Sequence, residues 1–348
     1  MKILIVGGGL AGVCVAHEIL RRDCQVTLID SGINHSSAIA AGMINPMTFR
    51  KMVKTWMGDE LIPFLREFYS DLEHKIGQQF FFERTIRRAF STAHERELWL
   101  ERERDEEYRN YIFPILADET PTYIHEEFGT GVVKCPGYID AKTFLDANQT
   151  YLRRKGILRT EEFDFDQLDV DQSSYNGERF DAIVFSEGYR GKQNPFFQYL
   201  PLETTKGEVL TLNIQGLDTK EIVNRKCFIL PTHNDVYKLG ATFTWKTTDI
   251  SLTEEAKKEL LGQYSDLIKK PFHVVDHEAG IRPTVADRRP LIGEHPEHKG
   301  IYIFNGMGTK GYMIAPYFAR HFVGHLLDHQ ELLEEVSIVR FQKYFKEE

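Results

Sequence analysis

The feature that most constrains this chain is the run Gly7-Gly8-Gly9-Leu10-Ala11-Gly12, set between a short apolar strand pattern and a helical one. Within it Gly7, Gly9 and Gly12 form G-x-G-x-x-G. The first glycine permits a tight turn, the second lets backbone approach a pyrophosphate, and the third lets helix and strand pack closely. Lys2–Val6 reads as the strand before the turn and Leu10 to Arg22 as the helix after it. Gln25–Ile29 is a second strand, ending at Asp30 and Ser31. The helix N-terminus offers N–H groups and the positive end of its dipole to phosphates. Asp30 stands where a carboxylate accepts hydrogen bonds from a ribose. A surface aspartate beside a glycine-rich turn would not need three glycines at this spacing, so a dinucleotide-binding β-α-β unit is predicted. Because aspartate at the ribose position is common in NAD proteins, FAD and NAD(P) both stay open at this point.

Beyond this unit, Ser36–Pro46 reads as a loop of small residues and 51–76 as an apolar-periodic helix containing Trp56, Leu61, Phe64, Leu65, Phe68 and Leu72. The Glu- and Arg-rich stretch 91–111 reads as a solvated helix face with local ion pairs. Phe144–Arg154 is a helix pattern, Asn176-Gly177 a hairpin turn, and Ala182–Phe185 a buried strand leading to Gly188. Glu208–Asn213 and Tyr237–Trp245 read as strands of a separate antiparallel sheet. Ser251 to Lys270 is a helix opened by a Ser251/Glu254 capping box. Ile301–Asn305 is a strand and Tyr312–Leu327 an amphipathic helix. The expected class is α/β: a Rossmann-like cofactor domain into which a discontinuous α+β substrate domain, built on an antiparallel sheet, is inserted. Residues 1–52, 136–205 and 278–348 are assigned to the first, 53–135 and 206–277 to the second.

Composition narrows the function. Of 348 residues, 43 are basic and 52 acidic, a formal net charge of −9 that argues against general nucleic-acid binding. No apolar run approaches the ~18–20 residues needed to cross a membrane. Cys14, Cys24, Cys135 and Cys227 show neither C-x-x-C nor metal-ligand spacing and read as reduced thiols. The expected location is cytoplasmic.

Toward the other end, AGIRPTVADRRPLIG (279–293) and GIYIFNGMGTKGYMIAPYFA (300–319) accompany GGGLAG and the loop AAGMINP (40–46). Together these resemble the FAD-dependent oxidases and dehydrogenases of the D-amino acid oxidase superfamily. Within it they are most similar to glycine oxidase, sarcosine oxidase and the oxidase domain of the tRNA 5-methylaminomethyl-2-thiouridine enzyme. The resemblance implies non-covalent FAD, since no cysteine occupies the sarcosine oxidase attachment context. It implies a small amine or amino acid substrate, with oxygen or another electron acceptor. It places the loop Ala40–Pro46, with Ala41, Gly42 and Met43, along the flavin ring and Ser37 among the cofactor-binding residues. It also places the turn Gly306-Met307-Gly308-Thr309-Lys310-Gly311-Tyr312 at the N1–C2=O edge, where reduced flavin gathers negative charge. That turn is independently a second helix N-terminus. Lys310 either adds a full charge there or is a solvated turn lysine.

In the glycine oxidase and D-amino acid oxidase branches, the arginine matching Arg282 pairs with the substrate carboxylate, for which a planar, permanently charged fork is suited. The alternative is an arginine tied to Glu278 or Asp287. Glycine oxidase's second arginine is replaced by Thr309, which puts glycine itself in doubt as substrate. His233, Tyr237 and Trp245 lie in the segment expected to roof the pocket and read as packing or surface residues. The reaction implied is oxidation of a C–N bond by hydride transfer to flavin N5. Three other readings stay open: a tRNA wobble-uridine oxidase, an NAD(P)-dependent dehydrogenase favoured by Asp30 alone, and a flavin-binding protein without turnover.

Overall fold

The fold was obtained as a computed structural model describing residues 1–33, 36–115, 120–134 and 137–345. Cys135 and the expected boundary at 136 lie outside the described residues.

Six strands form the sheet that carries the dinucleotide motif. Their order is Leu158–Thr160, Gln25–Asp30, Lys2–Val6, Ala182–Phe185, Ile301–Asn305 and Leu291–Glu294. The first five run parallel and the last is antiparallel. Strands from both ends of the chain therefore share one sheet, as a cofactor domain interrupted by another requires. Ile3 and Ile5 join the core on one face, and Leu4 and Val6 join that on the other, following the two-residue period of a strand. Helices cover parallel sheets on their faces, and here the helix Leu10–Leu20 packs against the long helix Gly311–Asp328. Against the opposite face lie Phe163, Phe165 and Phe196, beside the hairpin Ser174–Tyr175/Glu178–Arg179. Asn176 and Gly177 take φ of 50° and 74° in its turn, the left-handed pair that Asn-Gly favours.

The second sheet is mixed and larger. Its order is Thr244–Trp245, Leu202–Asn213, Val236–Gly240, Phe228–Pro231, Ile222–Asn224, Ile86–Ala89 and Thr130–Val133, with His273–Val285 paired along the other edge of Leu202–Asn213. All its pairings are antiparallel except Ile222–Asn224 with Ile86–Ala89. The helix Glu254–Ser265 contributes Leu260 and Tyr264 to the core beneath it.

Four expectations need correction. The helix expected from Lys51 starts at Gly58, because Met52 and Met57 adopt left-handed φ of 47° and 52° around the short strand Val53–Lys54, and such residues cannot continue a helix. The helix expected from Ser251 is capped by Thr253, whose side chain accepts the Ala256 N–H. Ser251 instead turns its hydroxyl to Asp249 at 2.6 Å. Tyr237–Trp245 is not one strand: Gly240 and Thr244 both pair with Leu202–Asn213, opposite Val209 and Lys206, and Ala241–Phe243 bulges between them. Finally, the loop-like stretch Ser36–Pro46 contains a helical turn, Ser36–Ile39, and the short strand Met43–Ile44.

Candidate active site

The glycine turn is fixed by close backbone approach. Gly7 has φ +106°, and a Cβ there would lie 2.4 Å from the Ser186 carbonyl oxygen; one on Gly12 would lie 1.9 Å from the Gly7 oxygen. Both distances are far inside van der Waals contact, so only glycine fits. The first intrahelical bond runs from Val13 N–H to the Gly9 carbonyl at 3.0 Å, and Leu10 N–H donates to Ser37 Oγ at 3.0 Å. Asp30 Oδ1 accepts the Gly8 N–H at 3.1 Å, bracing the turn from the end of the second strand. The Tyr312 hydroxyl donates to the Ser37 carbonyl at 2.8 Å, which ties the last long helix to the same corner.

A cavity of about 960 Å³ opens over this corner, at the upper end of the ~300–1,000 Å³ typical of ligand pockets. Gly9, Leu10, Ala11, Asp30, Ser31, Ser37, Ala41, Gly42, Met43 and Gly188 line it, as do Met307, Gly308, Thr309, Lys310, Gly311 and Tyr312. Gly7, Gly8, Gly12 and Gly306 do not; they shape the turns behind the wall. Ser186, also in the wall, keeps a buried hydroxyl without a hydrogen-bond partner. A polar group buried without a partner is costly, and a bound polar ligand would remove that cost. Two helix N-termini and small-residue walls fit a dinucleotide, with Asp30 at the end of the second strand beside the glycine turn.

Lys310 is half-buried in the wall, and its ammonium donates to the Asn45 carbonyl at 3.1 Å and to the Thr55 hydroxyl. Burial, with Arg288 nearby, pulls its pKa down from 10.5 to about 8. Both acceptors are neutral, so the cation remains electrostatically available to an anion in the cavity.

Arg282 lies on the His273–Val285 strand, opposite Thr205. Its guanidinium carbon stands 4.6 Å from the Phe243 ring centre, and Nη1 donates weakly to the Thr242 carbonyl at 3.4 Å. Beneath it lies Gly207, where a Cβ would come within 2.0 Å of Nη2; the glycine is what lets the planar group lie on the backbone. Neither suggested carboxylate holds it: Asp287 accepts from Arg340 at 2.9 Å, and among the described residues Glu278 forms no ion pair with it. Burial lowers the Arg282 pKa from 12.5 to about 10, as expected of a desolvated cation without a counter-ion.

A family described as FAD dependent oxidoreductase matches residues 2–324. The chain belongs to this family. Glycine oxidase of Geobacillus kaustophilus is 25% identical over 90% of this chain and 89% of its own length. The tRNA 5-methylaminomethyl-2-thiouridine biosynthesis bifunctional protein of Idiomarina loihiensis is 22% identical over 98% of this chain, which spans only 59% of that protein. L-proline dehydrogenase from P. horikoshii shares the fold with a TM-score of 0.81 at 17% identity, over 98% of both chains. Family membership removes the NAD(P)-dependent reading.

The oxidoreductase thus gathers around one cavity residues that were chosen from opposite ends of the sequence. His233 and Tyr237 do not reach it: one is exposed in a turn, the other 3% exposed in the core of the second sheet. Trp245 is exposed. Phe228 and Phe243 line the wall on that side, with Thr248, Asn224, Lys226 and Cys227. Their only sequence signal was proximity to residues already expected to roof the pocket. Among the described residues no His, Cys, Asp or Glu cluster is arranged to hold a metal ion, and no helix is long and apolar enough to cross a membrane.

Proposed function

We propose that this oxidoreductase oxidises the C–N bond of a small amino acid or carboxylate-bearing secondary amine. The observation that carries this reading is Arg282: a guanidinium in the wall of the cofactor cavity, stacked on Phe243 and without a carboxylate partner among the described residues. Arg282 holds the substrate carboxylate through paired hydrogen bonds, which fixes the direction of the adjacent Cα–H. FAD held in this cavity would supply the hydride acceptor, with oxygen or another acceptor taking up the electrons. Lys310 and the N-terminus of Gly311–Asp328 place positive charge where negative charge develops. The oxidised substrate leaves as an imine that water hydrolyses.

FAD is held non-covalently in this reading. Cys227 is the cavity thiol, and burial pushes its pKa from 9.0 up to about 12, so it carries almost no nucleophilic thiolate at neutral pH. We assign residues 1–52, 136–205 and 278–348 to FAD and 53–135 and 206–277 to the substrate side. The strands Leu202–Asn213 and His273–Val285 run unbroken across two of these boundaries.

Arg282→Leu tests the assignment. It should retain FAD but lose tens- to thousands-fold in flavin reduction by amino acids, since truncating a desolvated charged partner costs about 2–5 kcal/mol. Arg282→Lys should recover part of the loss, and amines lacking a carboxylate should be spared. Equal loss for both amine classes would assign Arg282 to the fold or the cofactor instead. Anaerobic bleaching of the visible flavin band across amino acids and N-methyl amines identifies the substrate.

A further inference from the structure

The wall that faces Arg282 is held in an unusual way. Residues 241–253 leave the edge of the Leu202–Asn213 strand and return to it, carrying Phe243 over the guanidinium. The segment buries little of its own apolar surface: Phe243 is 57% exposed, Trp245 58%, Ile250 40% and Leu252 50%. Hydrophobic burial, the usual source of order, therefore does not fix it.

Backbone pairing of Thr244–Trp245 with Lys206 and Thr205, and the Lys246 N–H bond to the Thr204 carbonyl at 2.8 Å, hold its middle, and a buried charged cluster on the other side of the strand holds its far end. Successive strand residues face opposite ways. Gly207 meets Arg282, while Lys206 and Glu208 turn away and are 4% and 2% exposed. Glu208 Oε2 accepts the Thr253 N–H at 3.0 Å and Oε1 the Thr253 hydroxyl at 2.9 Å. Lys206 Nζ stands 3.1 Å from Glu208 Oε1 and also donates to the Ser251 carbonyl. His277 Nε2 lies 2.8 Å from Glu208 Oε2. Burial works against the charge on Glu208, yet the bonds from Thr253 and Lys206 hold its carboxyl below the ordinary range. At the near end of the segment, Glu208 N–H donates to Thr242 Oγ1 at 2.9 Å and its carbonyl accepts the Thr242 N–H at 3.3 Å. Glu208 thus grips the near end through its main chain and the far end through its carboxylate.

We propose that Glu208 is a positioning residue for substrate binding: by pinning Thr242 and Thr253 it sets the 241–253 rim so that Phe243 and the Thr242 carbonyl hold the Arg282 fork toward a substrate carboxylate. This rests on Arg282 as the carboxylate holder. Glu208 touches neither substrate nor cofactor and acts through the rim. The same cluster orders the part of the mouth beyond the Thr244–Trp245 pairing, where Ile250 and Leu252 are exposed.

The test uses FAD-loaded enzyme and an unreactive monocarboxylate, acetate, titrated through its perturbation of the flavin spectrum. Glu208→Gln should keep FAD content and raise the acetate Kd about tenfold, the scale of one lost charge-assisted hydrogen bond. Thr242→Val, a milder change that leaves the buried charges paired, should raise it several-fold and keeps the inference testable if Glu208→Gln fails to fold. Glu208→Asp should restore part of the affinity. Adding either substitution to Arg282→Leu should cause no further loss, because the rim acts only through that fork. Unchanged acetate affinity in a folded Glu208→Gln or Thr242→Val variant would overturn the positioning role while leaving the Arg282 reading intact. Additive losses on the Arg282→Leu background would also overturn it. If Arg282→Leu itself leaves acetate binding unchanged, both readings fall.

Discussion

Glu187 offers a quantitative check on how the cavity handles charge. It follows the Ala182–Phe185 strand, lines the cavity beside the glycine turn, and is half-buried. Its Oε2 accepts from the Asn194 amide at 2.7 Å. Arg190, the nearby cation, is engaged with Glu162 at 3.5 Å. Burial outweighs both influences and raises the carboxyl from 4.5 to about 7. A carboxyl that ionises at 4.5 when unfolded and near 7 when folded favours the folded state fully below 4.5, and that contribution is lost as pH rises to about 7. At about 1.4 kcal/mol per pH unit, the difference between the two plateaus is roughly 3 kcal/mol. Glu187→Gln keeps an acceptor for Asn194 but cannot ionise. Denaturant unfolding of the cofactor-free parent and variant, from pH 4 to 8, should show the parent losing about 3 kcal/mol relative to the variant across that interval. Two curves that stay parallel would refute the reasoning. FAD affinity should follow the same course, falling with pH in the parent alone, because an ionised carboxylate would then share a wall with the pyrophosphate-binding turn.

Two further substitutions probe the other charges. Gly207→Ala should retain FAD and displace the Arg282 fork, raising KM for carboxylate substrates by about tenfold or more; an unchanged KM would mean the guanidinium has room that its packing denies. Lys310→Met should lower the flavin midpoint potential by several tens of millivolts, at roughly 30 mV for each 1.4 kcal/mol of lost charge stabilisation. Spectroelectrochemistry reads this directly, and an unmoved potential would place the Lys310 ammonium outside the flavin's field.

The parts of the fold legible in the sequence were those written in local rules. Gly7 and Gly12 announce the turn because backbone approach there admits no side chain, and Asn176-Gly177 announces its hairpin through left-handed φ. The strand His273–Val285 is legible only as a motif: its first four residues are exposed and the rest mix buried with half-buried positions, so no single period runs through it. Thr253 outcompeted Ser251 as the cap because Asp249 claims the Ser251 hydroxyl while Glu208 reaches in from a distant strand. The buried pair Lys206 and Glu208 left no local trace. Charged residues on a strand read as solvated, and their partners Ser251, Thr253 and His277 arrive only once the sheet has formed. For Arg282 the sequence suggested both the carboxylate role and the tie to Glu278 or Asp287; the geometry separates them because Asp287 is taken by Arg340.

The ribbon of Leu202–Asn213 and His273–Val285 has a consequence for how such a chain can diversify. Its 12- and 13-residue strands reach roughly 40 Å at about 3.3 Å per residue. Leu202 and Val285 at its inner end are packed into the same core as the parallel sheet. Arg282 therefore hangs from a beam rooted in the layer that carries the glycine turn, and the span between guanidinium and dinucleotide corner is set by that root. The outer strands attach farther along the beam, while the rim's Thr244–Trp245 pairs level with Arg282. Residues on the outer strands can be exchanged, lengthened or reshaped for a bulkier or smaller amine without altering that span. Redesign of this scaffold for new substrates should begin at the outer strands and leave the rim and the three residues before Val285 alone.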